Sequence, residues 1–147
     1  MPAQPRRRAD AMILLAQAYL DERRFSDAIK LLESTPYFVA WEGQWTTWVV
    51  FNHALLGRGQ ERLAAGDFAG ALQDFEAALT YPENLGVGRS NHPEHAPAHY
   101  WRGKALQALG RLPDARKAWT EGAAGDEGSS EQNEYRQLCG VALWTTH

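Results

Sequence analysis

The 147-residue sequence predicts an all-α fold, a right-handed α-solenoid of about three helical hairpins followed by a C-terminal capping helix. Three observations carry this expectation. Apolar residues recur three and four positions apart, the spacing of helices with one buried stripe, and not in the alternation of strands. Polar turns interrupt the stripes at matched places, at Gly66-Asp67 and Gly110. Ala28, Ala71 and Ala115 keep one offset from their turns, at separations of 43 and 44 residues, which marks a repeated unit.

Residues 1–9, with Pro2, Pro5 and the run Arg6-Arg7-Arg8, read as a disordered lead-in to a single helical domain over 10–147. The first hairpin, about 10–35, places Leu15, Ala16, Tyr19 and Leu20 on one stripe and Phe25, Ala28, Ile29 and Leu32 on the next. In the second, about 44–80, Leu63 precedes the turn, and Phe68, Ala71, Leu72, Phe75 and Ala78 follow it. Gly66 suits the left-handed residue that ends a helix, and Asp67 suits the N-cap of the next. The third, about 97–124, has Leu106 and Leu109 before Gly110, then Leu112, Ala115 and Trp119, with Pro113 in a first turn that tolerates a missing N–H. Small residues at the alanine positions let antiparallel helices approach closely. The terminal helix, about 130–145, starts at serine caps with Glu131 and sets Tyr135, Leu138, Cys139 and Ala142 on a common side. It caps the stack, or it is the first helix of a fourth unit.

These units resemble tetratricopeptide repeats. The matching positions are Ala16, Tyr19, Ala28 and Leu32, then Gly59, Ala71, Phe75 and Ala78, then Gly103, Leu106, Ala115 and Trp119. Arg62 stands where a bulky apolar residue is expected, and Gly122 replaces an alanine. The repeat spacing exceeds the usual ~34 residues, so the connections are longer. The strings "LTYPENLGVG" (79–88) and "AWEGQ" (40–44) resemble the repeat region of a bacterial family of unknown function. In those larger proteins a mutarotase-like β-sandwich region precedes the repeats, which implies that this chain is a C-terminal piece of such a protein.

Composition excludes several functions. Fifteen Lys+Arg against eighteen Asp+Glu leave no basic field for nucleic acid or anionic lipid. No apolar run approaches the ~20 residues of a membrane helix. Cys139 is the only cysteine, so no internal disulfide forms. That fits a reducing cytoplasm, and its apolar setting reads as a small buried side chain. No serine elbow, zinc-protease motif or paired carboxylates appear, so the chain reads as non-enzymatic and without a cofactor.

A protein or peptide partner is the expected ligand. By the resemblance, the first helices of successive hairpins line a concave binding face. They offer Ile13, Gln17 and Leu20, then Leu56, Gln60 and Leu63, then Tyr100, Lys104 and Gln107, although the apolar members can equally pack between hairpins. The lysine clamp that holds a carboxyl terminus in some members is not reproduced. Two rivals come from the connections. Trp41, Glu42, Tyr81, Glu83 and Asn84 offer an accessory carbohydrate site, although packing is the stronger explanation for the tryptophans at 41, 45 and 48. His92, His95 and His99, with Glu94 among them, offer a metal site, although Pro93 and Pro97 dictate the backbone there.

Overall fold

The computed structural model describes residues 5–34, 44–81 and 93–146, with side chains described over 11–34, 47–81 and 93–146. Helices α1 (Pro5–Asp21), α2 (Phe25–Ser34), α3 (Gln44–Ala64), α4 (Phe68–Ala77), α5 (Ala96–Ala108), α6 (Leu112–Ala123) and α7 (Ser130–Thr145) follow in order. Among the described residues there is no strand, and the fold is an all-α arrangement of helical hairpins. Helix α1 begins at Pro5, inside the stretch expected as a lead-in, because proline is well placed where a helix's first N–H needs no partner. One domain was expected over 10–147; the contacts group into two compact units. One draws on Met1–Arg58 and Thr80–Arg89, the other on Gly59–Leu79 and Ser90–His147.

The three hairpin turns share one geometry. Arg23, Gly66 and Gly110 have φ of 59°, 87° and 77°. The residue after each donates its N–H to the carbonyl five back: Arg24 to Tyr19 at 2.7 Å, Asp67 to Arg62 at 2.8 Å, Arg111 to Leu106 at 2.9 Å. This wrap satisfies carbonyls that the helix end would otherwise orphan. Glycine adopts that φ freely, whereas at Arg23 the same turn costs about 1 kcal/mol in backbone strain. Asp67 caps α4 as expected, its Oδ1 accepting from Gly70 N at 3.0 Å.

In unit one, α1 packs on α2, and Ala16, Ala28, Ile29, Leu32, Trp48, Phe51 and Leu55 are buried. Gly57 lies so close to Phe25 that a Cβ there would overlap the ring. Trp48, 2 % exposed, stacks on Tyr81 at 5.2 Å between centroids and donates its indole N–H to Thr80 O at 2.9 Å. Tyr81 thus anchors the chain leaving α4.

Unit two repeats one packing device. A Cβ on Gly59 would overlap the ring of Phe75, and one on Gly103 would overlap the indole of Trp119. Each glycine is therefore a notch that receives the aromatic of its hairpin partner. Trp119 is 1 % exposed and donates Nε1–H to Tyr100 O at 3.1 Å, so its one polar atom is satisfied. Leu106, Ala115, Ala118 and Cys139 complete this core. Arg62, the exception to the repeat pattern, pairs across the hairpin with Asp74 at 3.1 Å; the carboxylate side chain is 3 % exposed.

Helix α7 is tied down at both ends. Ser129 accepts from Gln132 N at 3.2 Å and also bonds Glu94. Gln132, 1 % exposed, accepts from Ala96 N and donates to Asp126 O, both at 3.0 Å, joining the start of α5 to the α6–α7 connection. At the other end, Arg116 Nη1 donates to the carbonyls of Leu143 and Thr146 at 3.0 Å, a cation placed where the helix dipole is negative.

Cys139 fits between these anchors, fully buried against Gly122. Burial pushes its thiol pKa up to about 12 from an ordinary 9. A group whose folded pKa is raised contributes stability that is complete below the unfolded value and is lost as pH climbs through the folded one. Urea melts should therefore show falling stability between pH 9 and about 12. Cys139→Ala should flatten that slope, leaving any share from Tyr100. A water-soluble disulfide reagent at about pH 8 should label the native thiol only as fast as the chain opens.

Candidate functional site

Aromatic side chains of α5 and α7 come together in unit two. Tyr100, one turn before Lys104, is half-buried. The ring of Tyr100 lies 5.1 Å from Trp101, edge to face, and 5.4 Å from Tyr135. Phe75 stacks on the Trp101 ring at 6.2 Å. The cluster is thus tied to the core through Phe75 and through Tyr100, which packs against the Trp119 and Cys139 core, while Tyr100, Trp101 and Tyr135 are each half-buried. Such edge and tilted contacts suit the positive rim and negative face of aromatic rings, so the platform is rigid.

Two polar atoms on this platform stay uncommitted. Trp101 Nε1 donates to Tyr135 Oη at 3.2 Å, so the tyrosine oxygen is the acceptor and its own hydrogen has no acceptor among the described residues. Lys104 Nζ sits 5.8 Å from the Tyr100 centroid, and no carboxylate among the described residues pairs with it. Burial, with smaller contributions from Tyr135 and Cys139, raises the Tyr100 pKa, so the phenol is neutral at physiological pH. The surface therefore offers aromatic faces, one cation and one O–H donor.

The sequence-derived candidates scatter against this picture. Tyr100 and Lys104 come together, and Gln107 lies exposed on the next turn. Gln60 and Leu63 are half-buried on the part of α3 that belongs to unit two. In unit one, Gln17 is exposed, Ile13 and Leu20 are half-buried, and Leu56 is only 4 % exposed, an interior residue. Trp101 and Tyr135 were missed. Helical spacing puts Tyr135 on the packing side of α7, and only the α5–α7 contact shows it flanking Tyr100.

The rival sites fare differently. Trp41, Glu42, Glu83, Asn84 and His92 lie outside the described residues, as do the side chain of Trp45 and the loop after Tyr81. Tyr81 is half-buried and stacks on Trp48, itself a core residue. His95 and His99 have ring centroids 6.2 Å apart. His99 Nδ1 lies 3.3 Å from Arg102 Nη1 and 3.6 Å from Glu121 Oε2. Among the described residues no group of three His, Cys, Asp or Glu side chains converges on a metal position. No helix there is long and apolar enough to cross a membrane.

Stacked antiparallel hairpins, with glycine notches filled by aromatics and small residues at fixed offsets, define a helical-repeat protein. The sequence pattern of the family described as Tetratricopeptide repeat matches residues 56–131, which covers α4, α5, α6 and the C-terminal part of α3. The chain belongs to the tetratricopeptide-repeat family. No curated protein matches its sequence.

Proposed function

We propose that the chain is a non-catalytic protein-interaction module whose α5–α7 face in unit two grips a peptide segment of a partner. The observation that carries this reading is the half-buried Tyr100–Tyr135 platform beside Lys104, a cation with no carboxylate partner among the described residues. Aromatic residues dominate interface anchors because they bury much area at small cost in side-chain entropy. A matching segment presents an apolar or aromatic side chain to the rings and an acceptor or acid to Lys104 and Tyr135. Family membership supports the same reading, since first helices of repeats form the usual binding face of such stacks. The resemblance of the "AWEGQ" and "YPENLGVG" strings supports a further reading. The chain is one helical domain of a larger cytoplasmic protein that carries a mutarotase-like region, with the repeats as its scaffold.

A random-peptide display library panned on the immobilised chain tests the face. Enriched peptides should lose about tenfold in affinity to Lys104→Glu, the scale of one charge-assisted contact. Tyr135→Phe, which removes one donor and keeps the ring, should cost less. Enrichment that ignores both substitutions would move the site elsewhere.

A further inference from the structure

A second surface, on α7, goes beyond that reading. Asn133, Gln137, Gly140, Val141 and Trp144 fall at helical spacing on the side of α7 away from buried Gln132 and Cys139, and Arg136 lies at the edge between that side and the buried one. Val141 is 57 % exposed and Trp144 73 %, and a Cβ added at Gly140 would meet nothing within 4 Å. Next to them, Ala123, Glu127, Asn133, Arg136 and Gln137 line a cavity of about 470 Å³. Among the described residues the half-buried Arg136 makes one long contact, Nη1 to Asn133 Oδ1 at 3.4 Å, and its buried Nε finds no hydrogen-bond partner. An orphaned buried donor is costly, and the cation is accounted for once something arrives to pair with it.

The same unit shows what such a partner is. Arg102 and Arg136 stand equally far from their N-caps, His95 and Ser129, and Ala105 matches Cys139, both fully buried. In α5 that side of the helix is covered by α6, whose Glu121 lies 3.5 Å from Arg102 Nη1. In α7 the corresponding side carries the cavity and the exposed apolar residues. We propose that this face of α7 docks an amphipathic helix of a partner protein, one acidic side chain pairing with Arg136 and an apolar stripe covering Gly140, Val141 and Trp144. Glu127 on the cavity wall limits the site to a single acid, since a second would face like charge. The open backbone at Gly140 gives the incoming helix a close approach, as Gly103 does for Trp119.

Isothermal titration with an amidated fifteen-residue amphipathic peptide tests this, the peptide carrying a Leu/Ala stripe and one Glu beside a twin with Gln in its place. The Glu peptide should bind saturably at one per chain, and the Gln twin roughly tenfold more weakly. Arg136→Gln should bind both peptides alike and keep the native melting temperature, since it gives up one long contact. Val141→Glu should bind neither. Equal affinity for the two peptides on the unaltered chain, no binding of either, or binding indifferent to Val141→Glu would each overturn the proposal. So would sedimentation showing a concentration-dependent dimer that Val141→Glu abolishes, because a second copy would then cover the face. Lys104→Glu should leave this titration unchanged, which separates its failure from failure of the peptide-gripping face on α5.

Discussion

Trp119→Ala should lower the stability of unit two by about 3–5 kcal/mol. The indole is 1 % exposed, fills the notch left by Gly103 and satisfies its N–H on Tyr100 O. Truncation removes that packing, opens a cavity between α5 and α6, and leaves the Tyr100 carbonyl one donor short. Collapse cannot close the gap cheaply, because Gly103 has no side chain to move in. Against a typical domain stability of about 5–15 kcal/mol, the loss leaves little margin. The melting temperature should fall on the order of 10 °C by calorimetry. Trp119→Phe should recover most of it, since Phe75 performs the same task over Gly59 in the preceding hairpin. A loss under about 1 kcal/mol for the alanine variant would mean that the notch is not a tight contact, and the packing account of the repeats would fail.

What the sequence makes legible is whatever chemistry is local. Gly66, Asp67 and Gly110 announce turns because glycine tolerates positive φ and aspartate caps helices, and the structure has each in that role. Gly59 with Phe75 and Gly103 with Trp119 are visible in the sequence as matching repeat positions, but that each glycine is the notch its aromatic fills is shown only by the packing. Arg23 is not: nothing about an arginine signals φ of 59°, and only the surrounding hydrogen bonds impose it. Tyr135 as a site residue and Arg136 as an orphaned donor were also hidden. Their meaning depends on how α7 rotates against α5 and α6, which Gln132, Cys139 and Arg116 decide through contacts distant in sequence. Leu56 shows the opposite error. Helical spacing places it on a candidate face, yet at 4 % exposure it is packing material, and periodicity alone does not separate the two outcomes.

Arg62 is the sharpest departure from the repeat pattern and makes a second strong expectation. It follows Gly59 at the offset where Leu106 follows Gly103, and its partner Asp74 precedes Phe75 as Ala118 precedes Trp119. The second hairpin thus uses an ion pair where the third uses a leucine and an alanine. Arg62→Leu alone leaves a carboxylate that is 3 % exposed without its guanidinium, and should cost about 3 kcal/mol. Asp74→Ala alone leaves an arginine whose side chain, 36 % exposed, still reaches water, and should cost about 1 kcal/mol. The double variant reproduces the apolar pair that the third hairpin already accommodates. It should return to within about 1 kcal/mol of the parent, because replacing a buried pair by packed apolar groups is commonly neutral or stabilising. Denaturant melts of the four proteins give the coupling energy directly. Additive losses would show that Asp74 is held by groups other than Arg62, and that the hairpins are not interchangeable at this position.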